Sequence, residues 1–376
     1  MKNQESPIRV YLQYPWKVVD SPYYKSLVKN PPSKVNFLDL KKNGVITSAS
    51  AFSFLTSIKR RIRNFLNRVN FAIPNAHLSP PGDYDLIHCA HCISKNRDVP
   101  WVADIESRWS LFVSGHFTKK GQDKVRKILL DNSCKKILPW TEHTRNQIVE
   151  MFPEVSSKIE VLYPAVKVPK LNLKGKSLSI NKKITVLFVA RYFWLKGGKI
   201  ALDVLERLRK KYNLRIIFIS IVPEEIKKEY PSIEIRGLVS SEILEKFYLD
   251  TDVFFYPSLG ETFGFTLLEA MAFGIPIVTV NTPKTISRKE IISNEENGLI
   301  TEITKDFNSK QDYIDFNLDP PETLVNSLHD NLAKIIENDS LRNKISRNSL
   351  KIMNEGKFSI QERNRKLRRI YREALK

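Results

Sequence analysis

Two carboxylates, Glu261 and Glu269, stand eight positions apart in GETFGFTLLEAMAFGIPIV (260–278). The first lies in the loop that ends the strand-like run DVFFYPS, the second inside the amphipathic stretch that follows. Gly264 lies between them, where a backbone without Cβ can approach a ligand closely. The first-turn amides of a helix starting there point outward without partners, a seat for phosphate. At ~1.5 Å of rise per residue, Glu269 sits roughly 8 Å along that helix, so the two carboxylates span about a diphosphate and its neighbours. Ionised carboxylates accept hydrogen bonds from hydroxyls. The chemistry such a segment suits is the holding of a nucleoside diphosphate sugar: phosphates on the helix terminus, one glutamate on a sugar hydroxyl, the other on the ribose. Thr262, Phe263 and Phe265 share the loop and complete the donor-binding set. Without their neighbours, the two glutamates read more readily as a helix-start charge favoured by the dipole and a solvated helical side chain.

Upstream, VARYFWLKGG (189–198) places Arg191 and Lys196 after a β-branched run and before an amphipathic one. An arginine and a lysine at a strand-to-helix junction are placed as a phosphate clamp. On an open surface the same pair would be two solvated cations. The pentapeptide HCAHC (88–92) invites a metal reading through His88, Cys89, His91 and Cys92. Structural zinc sites draw on two separated pairs, and no second pair is present; nor does Cys89 begin a helix as a redox C-x-x-C does. These residues are read as the end of a strand, and neither metal nor cofactor is expected. His116 and His143 are single histidines, which are more often structural.

Such side chains need strand ends to carry them, and the second half of the chain supplies an alternation of short β-branched and longer amphipathic runs. Strands are expected at 184–190, 215–221, 233–236, 252–257 and 276–280, and helices at 197–212, 241–249 and 263–274. In the first half, strands are expected at Ile8–Gln13, Val35–Leu40, Tyr84–Cys89, Trp101–Ile105, Lys136–Leu138 and Lys158–Leu162. Strict alternation means βαβ units and parallel sheets covered on both faces. The fold class is therefore α/β, with two facing Rossmann-like doubly wound domains and a cleft between them. The expected division is an acceptor-side domain over 1–165, joined by the terminal helix 360–376, a proline- and lysine-rich linker over 166–182, and a donor-binding domain over 183–359.

The segment 260–278 closely resembles the E-x7-E signature of retaining glycosyltransferases of family 4, which have the GT-B fold. That signature reads E-G-F-G-L-x-x-x-E-A-M-A-x-G-x-P-V-V. Glu261, Phe263, Gly264, Glu269, Ala270, Met271, Ala272, Gly274, Pro276 and Val278 match in register. VARYFWLKGG is similar to the family's G-R-L-x-x-x-K-G, with Ala190 in place of the usual glycine. NEENGLI (294–300) and the terminal KFSIQERNRKLRRIYREAL (357–375) are similar to further family segments, the last crossing back onto the amino-terminal domain. The resemblance covers roughly 130–376. It implies metal-independent transfer of a sugar from a UDP- or GDP-linked donor, with retention at the anomeric centre. Arg191 and Lys196 would neutralise the leaving diphosphate, Glu261 would hold the sugar and Glu269 the nucleoside. The acceptor would be a glycan or a lipid-linked precursor of one. Two family features are missing. A Gly-Gly loop after the first strand is replaced by QYPWKVVDSPYYK (13–25), where Lys17 and Asp20 have no assigned role. The histidine that follows a P-V-V-A-T strand is replaced by Glu106 in VPWVADIESRWS, which makes Glu106 the candidate to orient the acceptor hydroxyl or take its proton, with Asp104 second. An acidic residue at a strand end reads as well as a structural one. The departures leave open a second reading, a nucleotide-sugar-binding protein of the same fold without catalysis.

Composition bounds the partners. The chain has 376 residues, enough for two domains, and its 61 Lys and Arg against 41 Asp and Glu leave +20, which draws it to something anionic. The largest concentration is FLTSIKRRIRNFLNRVNFAI (54–73), with Ile58, Ile62, Phe65, Leu66 and Val69 on one helical face and Lys59, Arg60, Arg61, Arg63 and Arg68 elsewhere. That pattern suits a helix lying on an anionic membrane surface, and equally a helix packed on its own sheet with a basic outer face. Nucleic acid is disfavoured, because no reader motif and no interleaving of aromatic with basic residues is present. No apolar run approaches the ~18 residues of a membrane span, and the amino terminus lacks a secretory h-region. Three cysteines make no disulfide framework. A cytoplasmic protein, peripheral on the inner face of the membrane, is the expectation.

Overall fold

The central strand-like runs of the first half, Leu86–Ala90 and Trp101–Ile105, form the middle of a sheet because they are buried at every residue, without the alternation of a half-exposed strand. The computed structural model describes residues 6–13, 22–38, 72–113, 117–169, 183–285 and 287–376. It divides the chain into a first unit, Met1–Val166 with Lys357–Lys376, and a second, Lys167–Gly356. Residues 54–71 of the candidate helix 54–73, and 170–182 of the linker, lie outside the described residues, as do Lys17, Asp20 and His116.

The first unit contains β1 (Ile8–Gln13), β2 (Val35–Leu38), β3 (Ala76–His77), β4 (Leu86–Ala90), β5 (Ile93–Ser94), β6 (Trp101–Ile105) and β7 (Cys134–Pro139). Its main sheet is parallel, in the order β2-β1-β4-β6-β7, and β3 pairs with β5 apart from it. β4 and β6 are buried at every residue, and Ile87, Trp101, Ala103 and Ile137 pack with Val125, Leu129 and Ile148 of the helices Lys119–Leu130 and Glu142–Met151. Thr118 and Thr141 cap those helices, each accepting a backbone N–H one turn in.

The strand expected at Lys158–Leu162 does not form. A 3-10 turn runs over Pro153–Lys158, and the extended residues after it meet β7 in one isolated parallel bridge, Ile159 to Ile137, with Glu160 N–H to Ile137 O and Leu162 N–H to Pro139 O both at 3.0 Å. The return bond would need an N–H on Pro139, which has none.

The carboxyl-terminal helix Ile360–Ala374 belongs to the first unit. Arg363 is buried and donates to Ser26 Oγ at 3.0 Å and Asn30 O at 2.7 Å. Deeper in, the Tyr371 hydroxyl bonds to Nδ1 of His88, whose Nε2 lies 2.5 Å from Asp104 Oδ2, while Tyr23 donates to the other carboxylate oxygen. All four side chains are buried. Tyr371→Phe leaves the imidazole short of a partner and is expected to cost about 1–3 kcal/mol, read as a lower denaturant midpoint with unchanged slope; an unmoved midpoint would show that the bond adds nothing.

The second unit contains β8 (Ile184–Val189), β9 (Leu214–Ile219), β10 (Glu234–Arg236), β11 (Val253–Tyr256), β12 (Ile277–Asn281) and β13 (Leu299–Glu302), parallel in the order β10-β9-β8-β11-β12-β13. The helix Gly198–Arg209 buries Ile200, Ala201, Val204, Leu205 and Leu208, its periodic apolar set. From β8 the chain winds outward through β9 and β10, then returns to place β11 on the other side of β8. That reversal opens a crevice at the carboxyl ends of β8 and β11, where doubly wound sheets bind ligands.

Candidate active site

The loops that leave β8 and β11 are fastened to each other. Leu259 and Gly260 both donate backbone N–H to Leu195 O, at 3.1 and 3.3 Å. Gly197 sits so close to β11's loop that a Cβ on it would stand 2.1 Å from the Pro257 carbonyl, and its φ of +67° already lies in the left-handed region. Gly197→Ala is expected to lose about 1–2 kcal/mol from the backbone alone, before the clash, and to lower the thermal midpoint by at least about 4 °C. A midpoint within a degree of the parent would mean that the loops separate freely.

This fastening brings Lys196 to Glu261 across 65 residues of sequence. Lys196 Nζ donates to Glu261 Oε2 and to Gly260 O, both at 2.7 Å, and the Tyr256 hydroxyl donates to the same carboxylate oxygen at 2.8 Å. Both charged groups are mostly buried, with side chains 11% and 18% exposed. Burial alone would raise the Glu261 carboxyl; Lys196, with Arg288 and Tyr256, outweighs that and holds it below its ordinary value. Burial lowers Lys196 in turn, and Glu261 opposes the shift.

Beneath the pair lies Arg288, which the sequence reading missed. Its side chain is fully buried, and Nη1 donates to Ser258 O at 3.0 Å, Thr279 Oγ1 at 3.0 Å and Val280 O at 2.6 Å. Nε and Nη2 have no hydrogen-bond partner, and the guanidinium carbon is 5.8 Å from the Tyr256 ring centre. Burial lowers Arg288 too, countered by Glu261 and Tyr256. Two buried cations therefore stand against one carboxylate, a local excess of positive charge suited to a polyanion. In KTISRKEII (284–292) Arg288 looks like one more surface cation.

Gly264 begins the helix Phe265–Ala272 with φ +109°, which admits no other residue without strain. Glu269, on that helix and partly buried, accepts a hydrogen bond from the Tyr248 hydroxyl at 3.1 Å. Burial pushes its carboxyl up to about 7, with Tyr248 opposing. Of the other residues singled out in the loop, Thr262 is exposed and its carbonyl accepts from Ser287 Oγ at 3.1 Å, Phe265 is partly exposed, and the Phe263 ring is buried beside it at 5.2 Å. Phe263 therefore belongs to the packing of the loop and offers no ring to a ligand. Arg191 is exposed in the loop after β8.

Glu106 and Asp104 lie in the first unit. Asp104 is committed to the buried bonds with His88 and Tyr23, whereas Glu106, directly after β6, keeps a partly exposed carboxylate 3.7 Å from Nδ1 of His91. The pentapeptide 88–92 divides accordingly: His88 is tied inward, and Cys89, Cys92 and the distant Cys134 are buried free thiols. Burial raises Cys89 well above its ordinary value and Cys134 to about 12, so neither offers a thiolate. Among the described residues no group of three or more His, Cys, Asp or Glu is placed to hold a metal, and no helix is long and apolar enough to cross a membrane.

Residues 170–324, which carry the whole of this second-unit site, match the family described as "Glycosyl transferases group 1". An uncharacterized glycosyltransferase of Haemophilus influenzae is 29% identical over 183 residues, 47% of this chain and 50% of that protein. The capsular polysaccharide biosynthesis glycosyltransferase CapM of Staphylococcus aureus is 27% identical over 260 residues, 64% of this chain and 62% of that one. The chain thus spans between half and two thirds of these relatives. Among solved structures, Anabaena HepE in complex with UDP superposes with a TM-score of 0.60 at 15% identity, over 96% of this chain and 98% of that one. The two doubly wound units are those of the GT-B glycosyltransferase fold.

Proposed function

We propose that the protein is a retaining glycosyltransferase that moves a sugar from a nucleoside diphosphate, preferably UDP, to an acceptor hydroxyl without a metal. The observation that carries this is the Lys196–Glu261 pair at the β8–β11 switch point, backed by buried Arg288 and flanked by the Gly264 helix start with Glu269 on its first two turns. As the bond between sugar and diphosphate breaks, negative charge grows on the leaving phosphate. Lys196, Arg191 and the helix amides bind that charge more strongly than they bind the intact donor, and this difference is the rate enhancement. Glu261, kept ionised by its cations, accepts from a hydroxyl of the transferred sugar, and Glu269 accepts from the ribose. Retention and metal independence rest on the likeness of 260–278 to the E-x7-E signature. UDP is favoured because the similar Anabaena protein was crystallised with it, and a cell-surface glycan or its lipid-linked precursor because CapM serves capsular polysaccharide biosynthesis. The basic segment 54–73 is assigned to an anionic membrane surface; co-sedimentation with anionic liposomes should fall when Arg60, Arg61 and Arg63 are reversed to Glu.

A thermal-shift series with UDP, GDP and their sugars tests the donor. A nucleotide at about 100 times its Kd adds about 2.7 kcal/mol, and release of UDP from UDP-glucose should continue in EDTA. No shift with any nucleotide would sink the reading.

A further inference from the structure

At the carboxyl edge of the first unit's sheet, three neighbouring strands each deliver a side chain with their next residue: His91 after β4, Glu106 after β6 and Trp140 after β7. His91 is held at φ +52°, a left-handed conformation that a histidine adopts at a cost. The fold pins it there. Its carbonyl accepts from Asn75 Nδ2 at 2.6 Å, and its ring lies edgewise against Trp140 at 4.9 Å and Tyr24 at 5.1 Å, two fully buried side chains. Glu106 is fixed as well, its carbonyl accepting from Thr144 Oγ1 at 3.0 Å. Both functional groups are partly exposed, the imidazole by 20% and the carboxylate by 29%, and they approach to 3.7 Å. The adjacent strand β1 ends on Gln13, which is buried; its Oε1 takes the Cys89 thiol at 3.1 Å, and its Nε2 has no hydrogen-bond partner.

We propose that His91 and Glu106 form a hydroxyl-binding dyad for the acceptor, a sugar or other polyol. The carboxylate accepts a hydrogen bond from one hydroxyl. The imidazole steadies that carboxylate through Nδ1 and meets a neighbouring hydroxyl with Nε2. Gln13 Nε2 is a buried donor at the same strand edge with no hydrogen-bond partner among the described residues. A strained backbone held by neighbours that leave its side chain accessible has a use when that side chain must meet a ligand at a fixed angle. This assignment rests on the glycosyl-transfer reading and adds the acceptor side to it.

The test uses the full chain with UDP-glucose as donor and, as probes, the methyl α-glycosides of glucose, galactose, mannose and N-acetylglucosamine, followed by saturation-transfer NMR and by transfer rate. His91→Asn is the informative variant, because asparagine tolerates the left-handed backbone and removes the imidazole; Glu106→Gln is its counterpart. Each is expected to raise the Kd or KM of the best glycoside at least tenfold, and the double variant to do no more than the worse single one, while the UDP-induced thermal shift stays at its parent value. A purely structural role would instead lower the thermal midpoint and leave the glycoside KM alone. Unchanged glycoside affinity in both variants overturns the dyad, and so does a parent protein that binds UDP but none of the glycosides. Failure of the glycosyl-transfer reading shows itself separately, as a parent protein that responds to no nucleotide.

Discussion

Lys196→Met should reduce release of UDP from UDP-glucose by roughly 10²–10³-fold, the usual loss when one donor to a developing oxyanion is removed. It should also destabilise the fold, because Glu261 keeps its burial and loses its nearest cation. Breaking a buried pair from one side costs about 3–5 kcal/mol, and Arg288 should hold the loss toward the lower figure. The double variant Lys196→Met/Glu261→Gln removes the stranded charge. It is expected to recover only part of the stability, because buried Arg288 then lacks its carboxylate, and none of the turnover, which separates the pair's two effects. Turnover of Lys196→Met within threefold of the parent would remove the lysine from the mechanism.

Donor affinity should depend on pH with a sign set by Glu269. Its carboxyl titrates near 7, so at neutral pH it divides between a form that only accepts and a protonated one that also donates. Two ribose hydroxyls are best met by the ionised form. The Kd of UDP-glucose, whose own phosphates do not titrate in this range, is therefore expected to fall as pH rises from 6 to 8. Glu269→Gln should weaken binding at pH 8 and abolish the dependence. Stability runs the other way. With the native carboxyl raised above its ordinary 4.5, the folded state holds the extra proton between about 4.5 and 7, and stability falls as pH climbs through that window. Glu269→Gln should thus gain stability over the parent at pH 8 and not at pH 4. Isothermal titration and denaturant midpoints at the two pH extremes check both halves, and a flat Kd in the parent would detach Glu269 from the ribose.

The second unit was largely legible from its residues because each element carries its own signal. ITVLFV is buried from end to end, and the apolar set at Ile200, Ala201, Val204, Leu205 and Leu208 is the buried face of its helix. The two glutamates stood out through the letters around them, since their spacing alone reads as a helix-start charge and a solvated side chain. Their immediate partners did not: Tyr248 reaches Glu269 from 21 residues upstream, and Lys196 reaches Glu261 only because Gly197 nests under Pro257. Those contacts are made by packing, which no local pattern encodes. Arg288 was hidden among flanking cations, and the segment after Lys158 failed as a strand for want of one N–H on Pro139. In the first unit, HCAHC looked like one motif and is two: His88 faces inward to Asp104, while three residues on His91 faces Glu106.

The bonds from Tyr371 and Arg363 to His88 and Ser26 have a consequence for the order of assembly. They join residues 283 and 337 positions apart, so a sheet whose strands are made first lacks its last buried side chains until residues 363 and 371 have been made. The second unit, continuous from 167 to 356, has all its strands beforehand. During synthesis the later-made unit can therefore finish folding first, and the earlier one waits with the His88 imidazole and the Asp104 carboxylate unshielded. Arrival of the helix Ile360–Ala374 becomes the step that seals it.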